Sequence, residues 1–314
     1  MSSCTKVQHA RNARDCIGLP SYSAIENNTF HEEVPKAWQS QRCESNSRNA
    51  LLIWHGYLLK KRHELMTHTL ARNNTMCTLE KRGPLFVLTL TSEFDDQHRL
   101  NPTLLSSLLA ALSEVKSQAT AGSALLTAAH GRFFCNGFDF RWAQAAGDQP
   151  SARLRLRRMS DALRPVLAAL LSLPIPTVAA VSGHAAAAGA IFALAHDYVL
   201  MRADRGVIYF PEVDLGITLP EYFAAVAGAK IPAAALRDVV LAGRKVRAEG
   251  AVEMGIVHSA HDSAEGTVEA AMRLGEELAR RKWVGDAYAE IRKSLYPEVC
   301  AALGLTPKTI VSKI

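Results

Sequence analysis

Two short segments of small residues constrain this chain most, because each follows a predicted strand and leads into a predicted helix. The first runs Phe133–Phe140 (FFCNGFDF), and the second runs Val181–Ala190 (VSGHAAAAGA). Small side chains let a ligand approach the backbone closely. The first amides of a helix have no partner within the helix and lie at the positive end of its dipole. Two such amides aimed at one point would form an oxyanion hole. Either segment alone is better explained by tight packing, but the pair is more specific.

The apolar pattern around these segments predicts an α/β fold. Leu85–Thr91, Ser123–Ala128 and Thr177–Val181 are predicted strands. Asn101 and Pro102 predict a helix start, followed by one apolar face from Leu104 to Val115. Further predicted elements are helices over Ala152–Leu173 and Ala187–Ala195, strands over Asp197–Arg202 and Val207–Phe210, and a mostly helical region from Leu219 to Leu303. Strands and helices that alternate before a helical tail indicate an α/β core with a C-terminal helical region.

Residues 1–75 differ from the rest of the chain. They are rich in Asn, Ser, His and Arg and lack sustained periodicity, which predicts a poorly structured extension. Acidic residues such as Asp15 and Glu26 argue against a transit peptide. The formal net charge of +6 is uneven, since residues 1–75 hold 10 basic and 6 acidic side chains, against 26 and 24 in the remainder. The regular part is therefore close to neutral, which disfavours nucleic-acid binding.

No pair of the six cysteines has the C-x-x-C spacing, and no metal site is predicted. The most apolar stretch, Thr177–Ala195, contains Ser182, Gly183 and His184, so a buried strand and helix explain it better than a membrane span.

The two small-residue segments resemble the signature regions of the crotonase superfamily, also called the enoyl-CoA hydratase/isomerase family. Phe134–Phe140 resembles its F-S-x-G-x-D-L motif, and Ala180–Asp197 resembles its A-V-x-G-x-A-x-G-G-G segment. Within the superfamily, Met76–Glu80 and Gly216–Phe223 are most similar to the plant peroxisomal Δ3,Δ2-enoyl-CoA isomerases. The resemblance implies a repeated ββα spiral core and trimers assembled through the C-terminal helices. We expect an isomerase domain over residues 76–314, with its core at about 76–260, helices at about 261–304 and a tail at 305–314.

The resemblance also implies which residues form the site. The oxyanion hole would use the backbone N–H groups of Asn136 and Ala188, where Ala188 stands at a position that is commonly glycine. Substrate or CoA contacts are expected at Arg99, Leu100, Cys135, Gly137, Phe138, Asp139, Gly189 and Ile191.

The isomerisation needs one carboxylate to carry a proton from C2 to C4 of the acyl chain, with its pKa raised by apolar surroundings. Glu212 matches the position of a catalytic glutamate in the family, before a Leu-Gly pair, and Phe210 and Val213 are expected to desolvate it. Glu221 is the alternative, and Asp214 is a third candidate.

Hydratases of the family carry a second glutamate on the helix after the second segment, and alignment puts Ile191 there. Since addition of water needs polar groups to orient it, Ile191 favours isomerase over hydratase activity. The resemblance implies no metal or redox cofactor, and CoA enters as part of the substrate. Two alternatives stay open: another crotonase reaction, such as dienoyl-CoA isomerisation or thioester hydrolysis, and a non-catalytic acyl-CoA-binding subunit.

Other features are less specific. Ser312-Lys313-Ile314 differs from the S-K-L peroxisomal address only in its last residue, which favours a peroxisomal location and an import receptor as partner over the cytosol. His184 and His196 are interpreted as structural residues. The basic cluster Arg153–Arg158 is interpreted as a solvated helix face, with contact to CoA phosphates as an alternative.

Overall fold

Consecutive strands of this chain are divided between two sheets. The computed structural model describes residues 76–91 and 95–310, so the predictions for residues 1–75 and for Ser312–Ile314 lie outside the described residues. The strands are β1 Cys77–Arg82, β2 Leu85–Leu90, β3 Ala124–Ala129, β4 Phe133–Cys135, β5 Thr177–Val181, β6 His184–Ala186, β7 Tyr198–Arg202, β8 Val207–Tyr209, β9 Val246–Arg247 and β10 Ser259–His261. The larger sheet has the order β1-β2-β3-β5-β7-β10, and the smaller has the order β4-β6-β8-β9.

The larger sheet is parallel from β2 to β10, and only the β1–β2 pair is antiparallel. Its central strands have no exposed face: every residue of β3 and β5 is buried. Such uniformly apolar strands suit a parallel sheet covered on both sides. Leu126 and Val178 face a second core cluster together with Ala271, whereas Leu125 and Ala179 face the main core.

The helices are α1 Pro102–Gln118, α2 Phe140–Gln144, α3 Gln149–Leu171, α4 Ala188–Leu194, α5 Glu212–Leu215, α6 Glu221–Lys230, α7 Ala233–Leu236 continued by a π-turn over Arg237–Leu241, α8 Ala248–Glu253, α9 Ala264–Arg280, α10 Gly285–Leu295 and α11 Pro297–Leu303. The predicted cap of α1 is confirmed, because Asn101 Oδ1 accepts a hydrogen bond from Leu104 N at 2.9 Å. Helix α3 begins before the predicted Ala152 and runs through Pro165 without a break.

The pairs β3–β4, β5–β6 and β7–β8 each place one strand in the larger sheet and the next in the smaller sheet, before a helix follows. This is the repeated ββα spiral expected from the resemblance. Of the strands in the smaller sheet, β8 was predicted as Val207–Phe210, whereas β4, β6 and β9 were not, because two or three residues are too few to show a period. They matter for the site: β4 and β6 are parallel neighbours, so the two small-residue segments lie side by side.

The C-terminal helix α10 is held to the core by a buried ion pair. Arg292 Nε and Nη2 donate to the two carboxylate oxygens of Asp197 at 2.7 and 2.6 Å. Its guanidinium also donates to the carbonyl of Leu171, the last residue of α3, and to those of Leu173 and Ile175 just after it. No helix in the described part of the chain is both long and apolar enough to cross a bilayer.

Candidate active site

The first small-residue segment is tied to the loop before α1 by backbone hydrogen bonds. Leu100 N donates to Gly137 O at 2.8 Å, and Asp139 N donates to Leu100 O at 3.1 Å. Asn136 N donates to Gln97 O at 2.9 Å, and the Asn136 side chain donates to the side-chain oxygen of Gln97 at 2.7 Å. The prediction that the Asn136 amide serves the oxyanion hole is therefore wrong, because that N–H already has an acceptor.

Two residues further along the motif, the amide of Phe138 is available. Within residues 76–91 and 95–310, Phe138 N has no hydrogen-bond acceptor, because its bridge to Leu100 uses the carbonyl of Gly137 and the amide of Asp139. Ala188 N begins helix α4 and likewise lacks an acceptor there. Gly137 has φ +71°, and a Cβ built on it would lie 3.6 Å from Ala188 N and 3.1 Å from Ala187 Cβ. The absence of a side chain at Gly137 therefore lets the two segments meet.

The backbone is strained at Ala187, one residue before the free amide of Ala188. Ala187 has φ 50° and ψ −126°, a conformation that side-chain-bearing residues rarely adopt. Its amide donates to Tyr209 O of β8 at 3.0 Å, so the neighbouring strand holds the turn. The residue of this segment that has a positive φ is Ala187, and not Ala188, which stands where glycine is common in the family.

A cavity of about 660 Å³ opens over these two segments. Its walls come from α3, the two segments, the end of β8, and the stretch from Pro211 to Phe223. Its lining residues are Arg99, Asn136, Phe138, Phe140, Arg141, Arg153, Leu156, Arg157, Ser160, Ala186, Ala187, Ala188, Tyr209, Pro211, Glu212, Leu215, Ile217, Thr218, Pro220 and Phe223. A volume of this size is typical of small-molecule sites.

Glu212 is the sole carboxylate among these lining residues of the described chain. It is the first residue of α5 and is only 9% exposed. Its Oε2 atom is buried and has no hydrogen-bond partner within the described residues. Burial raises the pKa of Glu212 above its ordinary value, partly offset by a hydrogen bond from its own amide. A buried carboxyl group with one unpaired oxygen suits a group that takes up and returns a proton.

The other two candidate carboxylates lie outside the cavity. Glu221 begins α6 and is exposed, although Pro220 and Phe223 on either side of it line the cavity. Asp214 is exposed on α5. Of the two expected desolvating neighbours of Glu212, Phe210 is fully buried, but Val213 is 50% exposed and does not enclose a carboxyl group.

Several predicted contacts support the site from beneath and do not line it. Leu100, Cys135 and Ile191 are fully buried and are absent from the cavity wall. The Cys135 thiol donates to His98 O at 3.1 Å, and burial raises its pKa to about 12. Asp139 caps α2 by accepting from Trp142 N at 3.0 Å. The expected substrate contacts at these four residues are thus corrected to packing and capping roles, because each is used within the protein.

Gly137 and Gly189 are also absent from the cavity wall, where contacts were expected for both. Each allows close approach of the two segments, since a Cβ on Gly189 would overlap the Cys135 carbonyl oxygen. Arg99 and Phe138 do line the cavity as expected.

Sequence reasoning missed much of the opposite wall. Arg153, Leu156, Arg157 and Ser160 face the cavity at intervals of three and four along α3, which the helical period would have indicated. Phe223 stacks on Phe138 with ring centroids 6.0 Å apart. The basic cluster is not merely a solvated face, because Arg153 and Arg157 border the cavity with Arg141 and Arg99.

The two histidines lie away from the cavity. His196 is buried; its Nδ1 is 3.0 Å from Phe192 O, a carbonyl that can only accept, so Nδ1 carries the proton. Its Nε2 then accepts from Thr127 Oγ1 at 2.8 Å, and burial lowers the pKa of His196 to about 4. The prediction of a structural His196 is confirmed. His184 packs edge-on against Phe133, 5.1 Å between centroids, outside the cavity wall.

Known proteins resemble this chain over most of its length. The model of the family described as enoyl-CoA hydratase/isomerase matches residues 92–300. The chain belongs to the enoyl-CoA hydratase/isomerase family. Enoyl-CoA delta isomerase 2, peroxisomal, from Arabidopsis thaliana is 56% identical over 239 residues, which cover 76% of this chain and 99% of the relative. Enoyl-CoA delta isomerase 1, peroxisomal, from the same plant is 49% identical over 226 residues, 71% of this chain and 91% of the relative.

Solved structures of this family share its fold. An enoyl-CoA isomerase from Mtb superimposes with a TM-score of 0.62 at 21% identity, covering 73% of this chain and 94% of that one. An enoyl-CoA hydratase from Mycobacterium ulcerans gives a TM-score of 0.64 at 22% identity, covering 73% and 95%. Likeness at this level of identity shows the fold alone, and a fold does not by itself select a reaction, so the cavity residues must do so.

Proposed function

We propose that this chain is a Δ3,Δ2-enoyl-CoA isomerase of fatty-acid β-oxidation, which moves a 3-enoyl double bond to the 2-trans position. The observation that carries the proposal is the buried, unpaired Oε2 of Glu212, in the same cavity as the Phe138 and Ala188 segments. The relatives named enoyl-CoA delta isomerase support it.

In the proposed reaction, Glu212 removes a proton from C2 of the 3-enoyl thioester. The C–H electron pair forms a C1–C2 double bond while the π pair of the thioester carbonyl moves onto its oxygen, which gives a dienolate with its negative charge on that oxygen. The carboxyl group then returns the same proton to C4. The π electrons of C3–C4 form the new C4–H bond, the C1–C2 π pair becomes the C2–C3 double bond, and the oxygen lone pair re-forms the carbonyl. No atom or electron is gained or lost, so the step needs no redox partner, and CoA enters only as part of the substrate.

The dienolate oxygen is the point that the protein must stabilise. We assign the oxyanion hole to the N–H groups of Phe138 and Ala188, in place of Asn136 and Ala188. Removal of one such donor from an enzyme costs roughly 3–4 kcal/mol of transition-state stabilisation. The supporting observation is that both amides lack acceptors in the described part of the chain, whereas Asn136 N is bonded to Gln97 O.

The composition of the cavity wall favours isomerisation over hydration. Adding water to a double bond needs a second polar group that orients the water. Glu212 is unaccompanied by another carboxylate among the described lining residues, and Phe138, Leu156 and Phe223 supply apolar surface. A proton held by one carboxyl group can then be delivered to C4 without competition from a positioned water.

The arginines that border the cavity suit the phosphate groups of CoA. Arg99, Arg141, Arg153 and Arg157 all contribute to its wall, and guanidinium groups bind phosphate oxygens well. We assign Arg99, the residue already expected from the sequence, to the phosphates of CoA.

We further propose peroxisomal localisation and assembly as a homotrimer. Two of the relatives carry the word peroxisomal in their names. On α10, Ile291 is 61% and Leu295 66% exposed, which gives an apolar surface suited to assembly. Sedimentation of wild type beside Leu295→Glu tests assembly, and a monomeric wild-type protein would contradict it. The import receptor and the boundary of the domain at residue 76 stay predictions.

The decisive experiment follows conversion of 3-enoyl-CoA to 2-enoyl-CoA in wild type, Glu212→Gln and Glu221→Gln. We expect Glu212→Gln to lose about 10²–10⁴-fold in kcat, because the proton carrier is removed, and Glu221→Gln to keep most of it. A large loss in Glu221→Gln alone would transfer the base to Glu221. Acyl-CoA binding without turnover in wild type would favour the non-catalytic alternative.

A further inference from the structure

Ser160 is the last residue of helix α3 that lines the cavity, and nothing in the family match says how long an acyl chain the cavity accepts. Resting on the proposed function, we propose that Ser160 forms the floor of the acyl pocket and sets the longest straight acyl chain that the pocket buries completely.

Helix α3 runs from the mouth of the cavity into the core. Arg153 and Arg157 line the cavity and are exposed, whereas Leu156 and Ser160 line it and are half-buried. One turn further on, Leu163 is fully buried and no longer lines the cavity. From Arg153 to Ser160 the helix rises roughly 10 Å, at about 1.5 Å per residue. The pocket therefore deepens along α3 and stops at Ser160.

The floor is pinned in place by a buried tyrosine. Tyr222 is fully buried, and its hydroxyl donates to Ser160 O at 2.8 Å. The two hydroxyl oxygens are 3.1 Å apart. Since the Tyr222 proton goes to the carbonyl, the Ser160 hydroxyl must donate to Tyr222 Oη. The guanidinium of Arg164 lies over the Tyr222 ring, 4.8 Å from its centroid. Ser160 therefore cannot move aside easily.

The same hydrogen bonds determine which kind of acyl-chain end can lie against Ser160. The Ser160 proton is already used, so an arriving chain end meets no unpaired donor. Phe223 packs edge-on against the Tyr222 ring, 4.9 Å between centroids, and stacks on Phe138, so the two phenylalanines supply apolar surface to the cavity. An alkyl terminus fits such a place, because it forfeits no hydrogen bond there.

Chain-length dependence follows from burial. Each methylene that enters an apolar pocket strengthens binding by about fourfold, since burial contributes about 0.8 kcal/mol per CH₂. We expect affinity to rise by this factor per carbon and then to level off when the chain reaches Ser160. Ser160→Leu adds two heavy atoms at the floor, so the plateau should move to chains about two carbons shorter.

The test measures equilibrium binding of straight-chain saturated acyl-CoA thioesters of increasing length, which the isomerase reaction cannot consume. Ser160→Leu should weaken the longest chains at least tenfold more than the shortest. Phe223→Leu removes volume at the same end and should move the plateau toward longer chains. Ser106→Leu, the same substitution at an exposed serine of α1, should reproduce the wild-type profile.

Four results separate the outcomes. If the affinities of Ser160→Leu parallel those of wild type at every chain length, Ser160 is not the floor of the acyl pocket. If Ser160→Leu fails to fold, an unchanged plateau in Phe223→Leu would overturn the proposal instead. Wild-type protein that binds the series with a plateau but does not isomerise 3-enoyl-CoA would refute the proposed function and leave the floor standing. Loss of long-chain binding in Ser106→Leu would also overturn the role of Ser160 as the floor, because the loss would not depend on the cavity.

Discussion

The carbonyl oxygen of Cys135 occupies the space where a side chain on Gly189 would begin. A Cβ built on Gly189 would overlap that oxygen and also lie 2.8 Å from Cys135 Cβ. Cys135 ends β4 in the first small-residue segment, and Gly189 is the second residue of α4 in the other. The missing side chain of Gly189 therefore sets how closely the two segments approach, and with it the separation of the two free amides.

We expect Gly189→Ala to lower the free energy of unfolding by about 1–3 kcal/mol, because the added methyl has no room. Isomerase activity should fall more than stability accounts for, since one segment must move. Gly228→Ala is the matched control: nothing lies within 4 Å of a Cβ there, and Ala in a helix is about 0.5–1 kcal/mol better than Gly. Equal denaturation midpoints for the two variants would contradict the packing argument.

Ala187→Gly should stabilise the protein. The φ of 50° strains alanine by about 1–3 kcal/mol and glycine hardly at all, while glycine costs about 0.5–1 kcal/mol in unfolded-state entropy. We therefore expect a net gain of roughly 1 kcal/mol in urea denaturation. Ala186→Gly, one residue earlier in the regular strand β6, should destabilise. A loss of stability in both would show that Ala187 is not strained.

Glu212→Gln should raise stability at the pH values where wild-type Glu212 is ionised, while it lowers kcat by about 10²–10⁴-fold. Burial raises the pKa of Glu212 in the folded protein, so folding favours the protonated carboxyl group. That contribution is fully present below the unfolded pKa and is lost as pH rises through the folded pKa. In urea denaturation we expect the variant to be more stable than wild type by about 1 kcal/mol above the folded pKa of Glu212, where the unpaired Oε2 belongs to an ionised carboxylate, with the difference shrinking as pH falls below that pKa.

The pH dependence of catalysis follows from the same shift. Glu212 must be ionised to accept the C2 proton, so kcat/KM should rise with pH through a midpoint above the ordinary glutamate range. A midpoint at or below that range would mean that Glu212 is not the base.

Arg292→Met should cost about 3–5 kcal/mol, because it leaves Asp197 buried without its cation and three main-chain carbonyls without a donor. Arg82→Met breaks the pair with Glu80, in which both side chains are 54% exposed, and should change stability by no more than about 1 kcal/mol. Chemical denaturation of the two variants side by side makes the comparison, and similar losses would contradict the role given to burial.

The sequence by itself determined the family, the α/β class and the two segments that meet at the site. It could do so because close backbone approach requires small residues locally, and buried parallel strands such as Thr177–Val181 require a continuous apolar run. Glu212 could be singled out for a similar reason, since it stands in a recognisable position beside Leu215-Gly216.

Only the tertiary structure decided which amides are free and which carboxylate is buried. Asn136 N bonds to Gln97 O, 39 positions earlier in the chain, and no local pattern encodes that partner. Glu212 and Glu221 both begin helices, yet one is enclosed by the cavity wall and the other faces outward. Ser160 became part of the site only because α3 lines the same cavity as the two segments. Hydrogen-bond partners and burial depend on residues far apart in the chain, and these contacts exist only once it has folded.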